Sequence, residues 1–419
     1  MDSKEFASRL NSSLSPSRAI RTPEMLKGRE AKLKSVLREI DVPGRQIFIY
    51  GLRGVGKTSL ALTCALKARP EQIIVPTIIC TIGDNFFSIV RDIAEQILPS
   101  DPRTIKSGYK AGATAKIGSF GGAVEAYTEK GKVPLPSSLN DALGLLEFCA
   151  TTLSYEPVIV IDEFENVRDE ETAPLFASMV KGIADRRIPI KFIFCGIAES
   201  VSDVFVSHGS AHRYFHTEEL DRLGWEARFS IIDEGSKAAG LQIDYNTKIR
   251  IASISDGFPY FVHELASKVL WTMFDRGYQS GLVSRAEDFL EAAQRAVEGI
   301  ELEFKKHYDK AVEKYKTDGE IILWALADGH EFRRNLDKIY QSYWRISMEL
   351  ELKPLPKNRM TPRLHKFREE AFSSIVVSDR RSWFEFSQKM MRGYARLRAS
   401  RSSVHLDPDH PLGVTGRPL

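Results

Sequence analysis

Cysteine is scarce in this sequence. Cys64, Cys80, Cys149 and Cys195 are the only four and form no Cys-x-x-Cys pair, which argues against a zinc knuckle and against a disulfide framework. Each is expected to be a buried small hydrophobe. Long apolar runs are missing as well: no stretch of about 18 apolar residues occurs, and the opening MDSKEFASRLNSSLSPSRAIR lacks the apolar core of a secretory signal. No membrane partner is expected, and the expected location is cytoplasmic. Net charge is low too, +3 over 419 residues, but it is uneven. From Lys353 to Arg398 there are twelve basic and four acidic side chains, so that stretch carries +8 and leaves the rest at −5. Such asymmetry points to an acidic polymer as partner of the C-terminal part. What remains is ordinary for a globular protein, 43% hydrophobic and 27% charged, and the length calls for two or three compact units.

Residues 47–50 (IFIY) read as a strand and run into Gly51-Leu52-Arg53-Gly54-Val55-Gly56-Lys57-Thr58, followed by Ser59 and the helical LALTCALKA. Strand, glycine loop and helix stand in the order that a phosphate-binding P-loop requires. The glycines let the backbone curl so that successive N–H groups and the positive end of the helix face the phosphates of ATP or ADP. Lys57 reaches the β- and γ-phosphates in such a loop, and the Thr58 hydroxyl binds Mg²⁺.

A second acidic half is expected at the end of another buried strand. Residues 157–164 read Pro-Val-Ile-Val-Ile-Asp162-Glu163-Phe164, and four β-branched residues in a row suit a central parallel strand covered on both faces. The acidic pair stands at its carboxyl end, where ligands gather in α/β sheets. Asp162 is the expected magnesium partner, and Glu163 the residue that orients the attacking water, so hydrolysis is expected as well as binding. Two further parallel strands are read at Val75–Cys80 and Ile190–Cys195. Helical stripes follow at Phe87, Val90, Ile93, Ala94 and Ile97, with Asp84 as the expected cap, and at Leu175, Phe176, Met179, Val180 and Ile183. Residues 99–137 break the pattern and read as a surface insertion.

Upstream, Leu26-Lys27-Gly28-Arg29-Glu30-Ala31-Lys32-Leu33 resembles the box that opens the AAA+ modules of origin-recognition-type initiator ATPases and the related STAND NTPases. The resemblance implies that Gly28 and Arg29 lie near the adenine. Downstream, Ser255-Asp256-Gly257-Phe258-Pro259 resembles the Gly-x-Pro corner of the helical lid in those families, which places Pro259 over the nucleotide. Gly257 also suits a helix end and Pro259 a helix start. After a charged helix at about 285–316, EIILWALA, NLDKIYQSYWRIS and TPRLHKFREEAF read as helices and IVVSDRRSWFEFS as a hairpin, similar to the winged helix of the same initiators.

The implied architecture is an α/β P-loop NTPase of the AAA+ kind, a parallel sheet flanked by helices, with an α-helical lid and a C-terminal winged-helix domain. Its expected parts are a flexible segment at 1–22, the core at 23–206, the lid at 207–300, the winged helix at 301–400 and a disordered tail at 401–419. Two departures stand out. Cys195-Gly196 occupies the place of the polar residue that senses the γ-phosphate, and no second-sensor arginine accompanies Pro259. Arg213 is the best-placed trans-acting arginine, which a neighbouring copy or partner protein would receive.

A winged helix binds duplex DNA through its third helix and wing, here Lys357, Arg359, Arg363 and Lys366, with Arg380 and Arg381 at the wing tip. Such modules also contact proteins, as in STAND relatives. Two outputs therefore stand side by side: an ATPase acting on DNA, and a signalling switch that works with a separate sensor.

Overall fold

The computed structural model describes residues 2–72, 74–99, 133–167, 171–198, 200–201, 213–299, 302–380 and 382–406. Most of the expected insertion, Arg381 and the tail from 407 lie outside the described residues. The backbone divides into two compact units: a sheet unit of residues 19–52 and 56–221, and a helical unit of residues 1–18, 53–55 and 222–419.

Helix α1 (Ser3–Asn11) belongs to the helical unit. The sheet unit follows with α2 (Glu30–Ile40), β1 (Gln46–Tyr50), α3 (Lys57–Ala68), β2 (Thr77–Ile79), α4 (Phe86–Ile97), α5 (Leu139–Thr151), β3 (Val158–Asp162), α6 (Thr172–Arg186), β4 (Lys191–Gly196) and β5 (Phe215–Glu219). Its five strands are all parallel, in the order β2-β3-β4-β1-β5. Because every strand runs the same way, the loops after β1 and β3 leave from the same, carboxyl end of the sheet. Val158–Asp162 is buried along its whole length, as its β-branched run requires.

Phe164, directly after the acidic pair, is buried. It meets Phe176 and Phe194 edge to face at 5.4 and 5.6 Å, a favoured aromatic geometry. The four cysteines are buried, and burial raises their thiol pKa values.

Two expectations change here. The start of α4 is capped by Asn85, whose side chain accepts from the Phe87 and Ser88 N–H groups, while Asp84 accepts from Thr81 N and Oγ1. The core does not end at 206 but continues through β5, which pairs with β1 from Gln46 to Tyr50. Its sequence, FHTEE, carries no apolar run, since it is the strand at one edge of the sheet.

The helical unit contains α7 (Trp225–Ala239), α8 (Tyr245–Ser255), α9 (Pro259–Asp275), α10 (Ala286–Gly299), α11 (Leu302–Val312), α12 (Lys316–Ala327), β6 (Arg334–Asn335), α13 (Leu336–Glu349), α14 (Lys357–Lys366), β7 (Val376–Arg380), β8 (Trp383–Phe386) and α15 (Met391–Arg401). The last three strands form an antiparallel sheet in the order β6-β8-β7. The charged stretch at 285–316 is therefore two helices, α10 and α11. Residues 1–22 are not simply a flexible lead. Phe6 of α1 is fully buried, stacked on Phe274 at 4.3 Å and edge-on to Trp271 at 4.8 Å. Among the described residues no helix is long and apolar enough to cross a membrane.

Candidate functional site

The loop after β1 turns sharply at Gly51, whose φ is 150°. A Cβ there would overlap the Leu220 carbonyl oxygen just beyond β5, so only glycine fits. Gly54 and Gly56 also have positive φ, and Gly56 is the N-cap of α3. The first N–H groups of α3 thus follow the loop directly, at the positive end of the helix. Lys57 is buried, and its ammonium donates to the carbonyls of Gly51 and Leu52 at 3.0 and 3.1 Å. Ser59 Oγ accepts from Ile20 N at 3.1 Å.

Thr58 Oγ1 donates to Asp162 Oδ2 at 2.6 Å. A bond between residues 104 positions apart joins the start of α3 to the end of β3, so the two halves read separately from sequence are one site. Glu163 then leaves the strand in the left-handed region, φ 53° and ψ 40°, a conformation that costs a non-glycine residue about 1 kcal/mol or more. A short 3-10 turn, Phe164–Asn166, follows. Asn166 Nδ2 donates to Glu163 Oε2 at 2.9 Å and to the Cys80 carbonyl at 3.1 Å. Sequence reading did not single out Asn166; the signal available was an amide three residues after the glutamate. Cys195, at the place of the usual γ-phosphate sensor, is fully buried in β4, which leaves no polar side chain there.

Gly28 has a φ of 69°, and its N–H donates to Glu30 Oε1 at 3.1 Å. Arg29 is buried and donates to the Asp221 carbonyl. Burial lowers its pKa to about 10, against the opposing charges of Asp221 and Glu30. The Leu220–Asp221 turn therefore touches Gly51 on one side and Arg29 on the other, which ties the upstream box to the phosphate loop. This is a P-loop NTPase fold.

No family model matches the chain, and no curated protein matches it. Among solved structures, it is similar to the Walker-type ATPase of Pyrococcus abyssi, at 15% identity and a TM-score of 0.49, over 91% of this chain and 99% of that one. It is also similar to the ORC2 protein of Aeropyrum pernix, at 12% identity and 0.49, over 96% and 99%. A third similar structure is Cdc6p of Pyrobaculum aerophilum, at 15% identity and 0.45, over 97% and 99%.

The remaining expected site residues lie apart from the loop in sequence. Arg213 is exposed just before β5. Pro259 opens α9 in the helical unit, after Gly257 at a φ of 79°. In the C-terminal region much of the positive charge is neutralised. Lys357 pairs with Asp337, Arg363 with Asp318 at 2.6 Å, and Lys366 with Glu369 at 2.7 Å, while Arg359 and Arg380 are exposed. Arg392 and Arg396 are buried. The +8 counted along the sequence is therefore not a +8 surface.

Proposed function

We propose that this chain binds ATP with Mg²⁺ and hydrolyses it, as an AAA+ ATPase of the origin-recognition kind. The observation that carries the reading is the Thr58–Asp162 bond, which joins the phosphate loop to the acidic strand end beside Glu163.

Lys57, now held by two loop carbonyls, exchanges those partners for phosphate oxygens, a stronger charge-assisted bond. The Thr58 hydroxyl and Asp162 carboxylate, two hard oxygen donors within hydrogen-bond distance, fit magnesium. Bound there, the ion supplies neutralisation of phosphate charge. Glu163 accepts from the attacking water and orients it. Gly28 and Arg29 flank the base. Arg213, supplied to a neighbouring copy or to a partner protein, is the proposed trans-acting arginine, so turnover depends on assembly.

Lys57→Ala should abolish ATP binding, while Glu163→Gln should retain ATP with turnover reduced at least about 100-fold. Unchanged ATP affinity in Lys57→Ala, measured by fluorescent-nucleotide titration, sinks the reading.

The output we propose is duplex DNA, contacted by the C-terminal helices and hairpin acting as a winged helix, with Lys357, Arg359, Arg363, Lys366, Arg380 and Arg381 as the DNA-facing set. ATPase rate should rise with added duplex at low salt and lose that stimulation at moderate salt, through counterion release. The ion pairs at Lys357, Arg363 and Lys366 favour a second reading, a STAND-like switch whose C-terminal domain contacts protein. Under it, the rate ignores DNA at every salt concentration.

A further inference from the structure

The side chain of Asn166 reaches two groups, and both are acceptors: the Glu163 carboxylate at 2.9 Å and the Cys80 carbonyl at 3.1 Å. An amide has two N–H hydrogens on one nitrogen, one for each partner. The opposite orientation would set its oxygen against two oxygens, so chemistry fixes which way the amide points. The Cys80 carbonyl is itself fixed, because Cys80 N donates to the Asp162 carbonyl at 2.9 Å at the end of the β2–β3 pairing. Asn166 N also donates to the Glu163 carbonyl at 2.9 Å, which closes the short turn. Phe164, between the two, is held in the aromatic core.

The turn therefore has three anchors, and only its left-handed start at Glu163 is a strained conformation. A glutamate has three side-chain torsions, and a carboxylate bound at one oxygen by a fixed donor loses most of that freedom.

We propose that Asn166 is a positioning residue for the Glu163 carboxylate, bracing it against the carboxyl end of β2. Its role is exerted through Glu163. The proposal rests on the reading of Glu163 as the residue that orients water.

Three consequences separate this role from a purely structural one. Asn166→Ala removes this donor and should lower kcat about 10- to 100-fold, the penalty for mispositioning a catalytic group, while ATP affinity stays within about two-fold of wild type because Lys57 and Thr58 are untouched. Asn166→Asp keeps the size but replaces the donor by a carboxylate, and should lower kcat at least as far. In a Glu163→Gln background, Asn166→Ala should cause no further loss, since its effect runs through the missing carboxylate.

The experiment measures kcat, KM for ATP and fluorescent-nucleotide affinity for the two Asn166 variants, Glu163→Gln and the Glu163→Gln/Asn166→Ala double variant, with melting temperatures to confirm folding. The proposal fails if kcat of Asn166→Ala is unchanged, if the loss appears in ATP affinity instead, or if the losses multiply in the double variant. Should Asn166→Ala not fold, the isosteric Asn166→Asp decides by the same criteria. Failure of the underlying reading looks different: wild-type turnover would then be absent, or indifferent to Lys57→Ala and Glu163→Gln.

Discussion

Gly51 is the residue with the least freedom to change. Its φ of 150° is one that only glycine adopts readily, and its α-carbon faces the Leu220 carbonyl so closely that a methyl group cannot enter. The same turn accepts the buried guanidinium of Arg29 at Asp221. Gly51→Ala must push that turn outward and disturb both the phosphate loop and the upstream box. We expect it to weaken ATP binding by about 10-fold or more, taking about 1–3 kcal/mol for the strained backbone, in a protein that still melts cooperatively. Nucleotide titration beside a thermal melt checks this, and wild-type affinity would contradict it. The loop itself was legible because its chemistry is encoded locally, as glycine spacing between a strand and a helix. Asp162 and Glu163 were legible for a similar reason, as an acidic pair ending a β-branched run. Asn166 was not, because its role depends on the left-handed backbone at Glu163 and on a carbonyl 86 residues away.

At the scale of elements, the end of α8 carries the most consequential contact that the sequence hid. Asp256 follows α8 with a φ of 51° and is fully buried. It accepts ion pairs from Arg222 at 2.6 Å, Arg392 at 3.1 Å and Arg396 at 3.5 Å. The two arginines of α15 also donate to the Ala327 carbonyl at the end of α12, and Arg396 donates to Ser253 O at 2.6 Å near the end of α8. The negative ends of two helices thus help the carboxylate to hold buried cations. Burial and the neighbouring Arg396 lower the Arg392 pKa to about 9, with Asp256 acting in the opposite direction.

Asp256→Asn keeps both the shape and a tolerance of left-handed backbone, so it removes charge and little else. It should cost about 3–5 kcal/mol, the usual result of leaving a buried charge without its partner, read as a lower denaturant midpoint. A loss below about 1 kcal/mol would show that the carbonyls suffice. Counting charge along the chain placed Arg392 and Arg396 on a basic surface. Linear sequence could not reveal that they point into the protein toward a residue some 140 positions upstream.

For the whole molecule, four of the five parallel strands were readable because central strands must be apolar on both faces. β5, at an edge of the sheet, carries no such signature, and missing it set the lid boundary too early. The helix-and-hairpin pattern at the C-terminus was readable as elements. Its separation from the lid at residue 300 was not sound, because Asp256 lies on one side of that cut and Arg392 and Arg396 on the other. Their shared buried charge set is expected to couple the two stretches, so that they open together in hydrogen exchange at one free energy. A truncation at residue 300 would therefore not release an intact lid. It would leave Asp256 with two of its three guanidinium partners gone, and a fragment stripped of the helices that close over the end of α8.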